Sequence, residues 1–207
     1  AQFVGRETEM HTLSSAFINA ITGQGSAWLV GGESGVGKSR LLDELAIFAV
    51  VNGAIILRGQ SVKSGGIPYR QWREPMRRLV LCTPLSDIEA SILKEIVPDI
   101  GDLLGRDVPS APVIEGVAGQ QRLILTMIDI ITRQRTPLLL LLEDLQWASE
   151  SLNPLRQLLP IVSGLPLMIV GSYRDDERPH LPEELDGINT LKLSRLRLAD
   201  IEALSES

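Results

Sequence analysis

Eight residues near the front of the chain, Gly32-Glu33-Ser34-Gly35-Val36-Gly37-Lys38-Ser39, have the types and spacing to hold a phosphate tail. They fit the pattern G-x-x-x-x-G-K-[ST], in which glycines let the backbone curl with its N–H groups inward and a following helix turns its positive end to the same anion. Lys38 would reach the β- and γ-phosphates, and the Ser39 hydroxyl would sit on Mg²⁺. Contact with the nucleotide is expected to extend one residue further, to Arg40. Farther on, Glu143 and Asp144 close the most apolar run of the chain, Leu138 to Leu142. Glu143 would hold the metal through its water shell and Asp144 would orient or activate the attacking water. The plainer alternative is a strand that ends in solvated charges. Arg174, inside Tyr173-Arg174-Asp175-Asp176-Glu177, has two open roles: a cation that senses the γ-phosphate, or a partner for its acidic neighbours.

These groups need elements to bring them together. Met10, Leu13, Phe17 and Ile21 recur at helical spacing and predict a half-buried helix ending near Gly23. Ala27 to Val30 predicts a strand stopped by Gly31-Gly32, and Leu41, Leu45 and Phe48 predict a helix that starts after Lys38-Ser39 and stops at Asn52-Gly53. Ala54 to Leu57 predicts a second strand, so the glycine loop lies inside a strand, loop, helix, strand unit with parallel pairing, which is α/β architecture. Between Arg58 and Leu138 there is no convincing strand. Three helical patterns fill the interval, carried by Tyr69, Trp72, Met76 and Leu79, by Ile88, Ile92 and Ile96, and by Val117, Ile124, Ile128 and Ile131. The all-apolar run from Leu138 predicts a central parallel strand, covered on both faces, that delivers its acids where open α/β sheets bind ligands. A helix with Asn153 as N-cap and Pro154 at its first position should follow, then strands at Leu167 to Ser172 and Thr190 to Leu193.

The 207 residues are 44% hydrophobic and 22% charged, which suits a folded domain with a real core. Lys and Arg number 20 against 26 Asp and Glu, and the net charge of −6 argues against broad adhesion to nucleic acid or anionic membrane. No run approaches the roughly 20 apolar residues of a membrane span, and no basic-then-apolar leader opens the chain, so a cytoplasmic setting is expected. Ala1 at the start suggests an excised domain. Cys82 is the single cysteine, which excludes an internal disulfide or thiolate metal cluster, and His11 and His180 are too few for a histidine-rich metal site. Trp28, Trp72 and Trp147 read as packing residues, since Lys and Arg do not alternate with them. Arg70, Arg73, Arg77 and Arg78 read as a solvated basic face.

Four blocks together, Phe3-Val4-Gly5-Arg6-Glu7, Gly32 to Ser39, Leu141-Leu142-Glu143-Asp144-Leu145-Gln146-Trp147-Ala148 and Gly171 to Glu177, resemble the AAA-type, STAND-class P-loop ATPase domain of bacterial signalling proteins. LuxR-type large ATP-binding transcriptional regulators and cyclase- or kinase-linked proteins carry such domains. The resemblance covers nearly the whole chain and implies a five-stranded parallel sheet of order 5-1-4-3-2. It puts the glycine loop after the first strand, the acids on the third and a sensor Arg174 on the fourth. It also implies that Phe3, Val4 and Arg6 line the adenine and ribose side of the nucleotide. Gln146 and Ser149 depart from it, standing where His and Asp are common.

The resemblance further implies a single domain over residues 1–207 with a helical insertion at 59–117. Relatives continue past the equivalent of Leu193 to Leu204 into a helical lid and winged-helix region, so the expected partners are those domains, an output domain and nucleotide-dependent copies of itself. Without a lid the chain is expected to bind ATP or ADP more weakly and to hydrolyse slowly. Adenine is expected over guanine because no Asn-Lys-x-Asp run is present. The functional expectation is a signalling switch; the competing one is a turnover enzyme such as a P-loop kinase or a DNA-remodelling ATPase.

Overall fold

The structure is a computed structural model and describes residues 5–63 and 68–195. Phe3 and Val4 lie outside the described residues, as do the residues beyond Arg195. Five strands form one sheet: β1 (Ser26–Gly31), β2 (Ile55–Gln60), β3 (Leu138–Glu143), β4 (Leu167–Tyr173) and β5 (Asn189–Lys192). Every pairing is parallel and the order is β2-β3-β4-β1-β5, which is the expected order read from the other edge. Trp28 is in register with Val170 and Asn189, and Gln60 with Glu143.

Side chains alternate across the sheet, and each face has its own core. Leu139, Leu141, Met168, Val170 and Val30 meet Leu13 and Phe17 of α1 (Glu7–Ile21) and Leu41, Leu42 and Leu45 of α2 (Lys38–Val51). Leu138, Leu140, Leu142, Leu29 and Ile169 face the opposite way. There they meet a larger helical layer: α3 (Arg73–Val80), α4 (Asp87–Leu93), α5 (Ile100–Leu104), α6 (Gly116–Thr132) and α7 (Asn153–Leu158). The five leucines of β3 are at most 1% exposed, and each contributes about 1.5–3 kcal/mol on burial. Double-sided burial explains why this strand reads as an unbroken apolar run.

Three expectations for the helices change. Ile88 and Val117 are 73% and 80% exposed, although their spacing matches buried neighbours. Both stand in the first turn of α4 and α6, ahead of the first buried residues Ala90 and Gly119. Periodicity fixes a face but not how far along the helix that face is covered. Asn153 is the first helical residue of α7 rather than its cap, with φ −61° and ψ −42°, because a 3₁₀ turn at Glu150–Leu152 winds straight into it. The basic face is solvated at Arg70, Arg73 and Arg78, as expected, but two of its members are also paired: Arg77 and Arg73 both reach Asp99, and Arg77 also meets Glu74 at 3.7 Å.

Because all strands run the same way, the carboxyl ends of β1, β3 and β4 share one edge, and β4 lies between the other two. Gly31 ends β1 against the Tyr173 ring at the end of β4. A Cβ on Gly31 would come within 2.7 Å of that ring, so a larger residue there would require the Tyr173 ring to shift.

Candidate functional site

The glycine loop is fastened by its own lysine. Gly37 has φ +97°, a backbone state that glycine adopts without steric cost, and α2 begins at the next residue. Lys38 is 9% exposed and its Nζ donates to the carbonyl oxygens of Gly32 and Glu33, both at 2.7 Å. Burial, and then the positive charge of Arg174, push its ammonium below the ordinary lysine range; Asp175, Asp144 and Asp176 pull the other way. The first turn of α2 supplies N–H groups without intrahelical partners, and its positive end meets the loop. Arg40 lies further out on α2 and pairs with Glu44 at 2.8 Å.

Arg6 sits behind the loop. It is 6% exposed, and its guanidinium donates to the carbonyl of Val36 at 3.0 Å, to the carbonyl of Ser194, and to Glu9 at 3.0 Å. It therefore ties the start of α1, the glycine loop and the chain after β5 into one unit. Arg195 adds a contact to Glu33 at 2.6 Å, so the segment leaving β5 crosses the loop.

Across the edge, the Ser39 hydroxyl donates to Glu143 Oε2 at 3.0 Å. The other Glu143 oxygen meets Arg58 Nε at 2.9 Å, and Arg58 in turn holds Asp43 at 2.6 Å. Asp144 leaves the strand in the left-handed region, φ +57° and ψ +41°, which is uncommon for a residue with a Cβ. Its two oxygens accept from Gln60 Nε2 at 2.8 Å and Gln146 Nε2 at 3.3 Å. Gln146 is 8% exposed, and its Oε1 accepts from the Arg174 backbone N–H at 3.0 Å. Gln146 thus links the acid to the end of β4. Its amide both donates and accepts, which a single link of this kind requires.

The Arg174 guanidinium pairs with Glu177 at 2.8 Å and lies 5.3 Å from the centre of the Trp147 ring. Trp147 Nε1 donates to the other Glu177 oxygen at 2.8 Å. That bond, followed by the bond to Arg174, holds the Glu177 carboxyl below its usual range against the opposing effect of partial burial. The acidic-neighbour alternative for Arg174 is thus realised, at the same edge as the glycine loop and the acids. Trp147 belongs to this edge and not to a packed interior; Trp72 is fully buried.

Sequence reasoning missed Gln60, Arg58 and the Trp147–Glu177 pair. An amide carries no motif, but one signal was available. Pairing β2 in parallel with β3 sets the polar residue that ends one strand beside the acids that end the other.

A hydroxyl and a carboxylate that already meet at 3.0 Å suit a hard cation held jointly with phosphate oxygens, and a buried ammonium on loop carbonyls suits the phosphates themselves. Among the described residues no group of three or more His, Cys, Asp and Glu side chains could hold a metal unaided. A Mg²⁺ that keeps several waters and phosphate ligands needs none.

Fold and edge together define a P-loop-type α/β nucleotide-binding domain. Residues 2–170 match the family model described as AAA ATPase domain, and the chain belongs to that family. Its members bind nucleotide, and nucleotide with Mg²⁺ is what the family leads one to expect. No curated protein matches the chain. Among solved structures it is similar to the ORC1 protein of Aeropyrum pernix in complex with DNA, at 17% identity and TM-score 0.54, over 99% of this chain and 49% of that one. A DNA replication initiation factor matches at 14% identity and TM-score 0.49, over 98% and 50% of the two chains. Drosophila ORC bound to GC-rich DNA and Cdc6 matches at 13% identity and TM-score 0.47, over 98% and 67%. The chain spans about half the length of the first two. Among the described residues no helix is long and apolar enough to cross a membrane.

Proposed function

We propose that this domain binds ATP and Mg²⁺ at the glycine loop, hydrolyses ATP slowly, and serves as the nucleotide-dependent switch of a larger STAND-class signalling or transcription-regulating protein. The observation that carries the proposal is the junction of Lys38 on the Gly32 and Glu33 carbonyls with Ser39 on Glu143. The residues from Gly32 to Ser39 would wrap the phosphates, with Lys38 exchanging its carbonyl partners for phosphate oxygens. Ser39 and Glu143 would hold Mg²⁺, which when bound neutralises charge on the phosphate oxygens. Arg6, Phe3 and Val4 would lie on the base side.

Asp144 would accept a hydrogen bond from the attacking water and direct it at the γ-phosphorus; the bond from phosphorus to the bridging oxygen breaks, leaving ADP and phosphate. Both Asp144 oxygens are already engaged by Gln60 and Gln146, so water competes with two amides for them. That competition supports slow turnover, as a switch requires. In this reading residues 1–207 act as one domain, with the stretch 59–117 as a helical insertion, and lid, winged-helix and output domains of the same polypeptide are the partners. The acidic balance of −6 supports a cytoplasmic domain that does not itself grip nucleic acid.

Titration calorimetry with ATP, ADP and GTP in Mg²⁺, joined to a phosphate-release assay, tests this. Adenine nucleotides should bind, GTP should bind more weakly, and turnover should be on the order of one per minute or slower. Absence of binding refutes the site. Fast turnover stimulated by DNA replaces the switch with a DNA-remodelling ATPase, and fast transfer to a small acceptor replaces it with a kinase.

A further inference from the structure

We infer that the cleft between the ends of β2 and β3 is a site for a small zwitterion of α-amino-acid size, held at its carboxylate by Arg70 and at its ammonium group by Glu150, and that Gln60 carries its occupancy to Asp144.

The cleft has a volume of about 260 Å³, and Gln60, Ser61, Arg70, Gln71, Trp147 and Glu150 are among the residues that line it. Ligand pockets commonly hold about 300–1,000 Å³, so the occupant of this one is small. One wall is the end of β2 with the 3₁₀ turn at Arg70–Trp72; the other runs from Trp147 into the 3₁₀ turn at Glu150–Leu152. Ser151 joins the two walls. Its carbonyl accepts from Gln71 Nε2 at 2.9 Å and from Trp72 Nε1 at 2.8 Å, and its hydroxyl accepts from the Tyr69 backbone N–H at 3.0 Å. The floor is fixed as well: Ser61 and Gln71 are 7% and 3% exposed, and the Ser61 hydroxyl donates to the Gln71 side chain. The Gln71 carbonyl lies so close to Gly59 of β2 that a Cβ there would come within 1.9 Å of it, so this approach of turn to strand requires glycine. Among the described residues, two that are not glycine have positive φ, Tyr69 at +61° and Asp144 at +57°. Tyr69 directly precedes Arg70 in the wall, and Asp144 is bonded to Gln60. Backbone strain of this kind collects at functional sites.

The charges select the ligand. Arg70 and Glu150 are exposed, one on each wall, and among the described residues neither has an ion-pair partner, so they are also too far apart to pair with each other. An α-amino acid carries its carboxylate and its ammonium group on one carbon and can span that gap, the carboxylate taking bonds from the guanidinium and the ammonium donating to the acid. A simple anion would meet the charge of Glu150, and a simple cation that of Arg70. The half-buried Trp147 ring offers apolar surface to the ligand's side chain.

Gln60 joins this cleft to the neighbouring acid, and this step rests on the function proposed above. Its side chain lines the cleft, and its amide donates to Asp144 at 2.8 Å. A ligand that accepts from the same amide frees that Asp144 oxygen for the attacking water, so occupancy speeds hydrolysis.

The test titrates the full chain, without nucleotide, with each of the standard amino acids up to about 10 mM by calorimetry. For any that binds, two comparators follow: the amine that lacks the carboxylate and the acid that lacks the amino group. At least one amino acid should bind, and each comparator should bind about three- to tenfold more weakly. Arg70→Gln should weaken the amino acid by a similar factor and no longer distinguish it from the amine, whereas Glu150→Gln should no longer distinguish it from the acid. Both substitutions are at exposed positions and leave the core intact. The bound amino acid should raise ATP turnover, and Gln60→Ala should remove that response.

No binding by any amino acid, or binding indifferent to both charges and both substitutions, overturns the site. Binding that leaves ATP turnover unchanged overturns the link through Gln60. Amino-acid binding by a chain that takes up no nucleotide upholds the cleft and brings down the nucleotide reading instead.

Discussion

Lys38 is held by main-chain carbonyls of its own loop, whereas Asp144, on the same edge of the sheet, is held by side chains from two other elements, Gln60 and Gln146. The glycine half is built from backbone geometry: a left-handed glycine, a helix that starts at the lysine, and carbonyls a few residues away. The acid half is built from side-chain amides and a strained turn at Asp144, and its parts come from β2, β3 and the 3₁₀ turn at Leu145–Trp147. Backbone-made sites are local in sequence and tolerate change elsewhere. Side-chain-made sites depend on register, and one altered amide propagates across the edge.

The sharpest way to separate the halves is Asp144→Asn. The new amide removes the carboxylate charge and turns one of its two acceptor oxygens into a donor while keeping the size, so hydrolysis should fall by about 10²- to 10⁴-fold while ATP binding persists, as read by phosphate release and calorimetry. Lys38→Ala should do the reverse. Loss of charge-assisted phosphate bonds should weaken ATP by about 10- to 150-fold, roughly 1.5–3 kcal/mol, and unchanged affinity would remove Lys38 from the site.

Gln146→Ala probes how far the acid half is interlocked. It strands the Arg174 backbone N–H and frees one Asp144 oxygen, so denaturant unfolding should show a loss of about 1–3 kcal/mol, with hydrolysis altered and ATP affinity close to that of the parent. Gln60→Ala removes a single partly solvated bond and should change stability by less than about 1 kcal/mol, while still altering turnover. An equal loss from both would mean that Gln146 has no special linking role.

The smallest effect is in pH. The Glu177 carboxyl is held below its ordinary value of 4.5, foremost by the Trp147 bond, so its share of stability is complete above the unfolded value and disappears only as pH falls through the lower folded one. Trp147 emission should therefore stay level through the usual glutamate range and change at more acidic pH, and Glu177→Gln should abolish that step.

The legible parts of this protein were those fixed by neighbours along the chain. The Gly32 to Ser39 loop, the strand that carries Glu143 and Asp144, and the strand before Arg174 all announce themselves through local spacing. The sheet order was available through resemblance and agrees with the structure. The limits were equally physical. Ile88 and Val117 have helical spacing yet face solvent, since spacing cannot say where a neighbouring helix ends.

By itself the sequence determined a glycine loop between a strand and a helix, and the strands and helices around it, because glycine freedom, apolar alternation and a lysine next to a helix start are properties of short segments. Only the tertiary structure decided that Gln60 and Gln146 hold Asp144, that Arg58 shares Glu143 with Ser39, and that Arg174 rests on Trp147 and Glu177. Those contacts join residues as many as 104 positions apart, and it is the parallel register of β2, β3 and β4 that sets their distances.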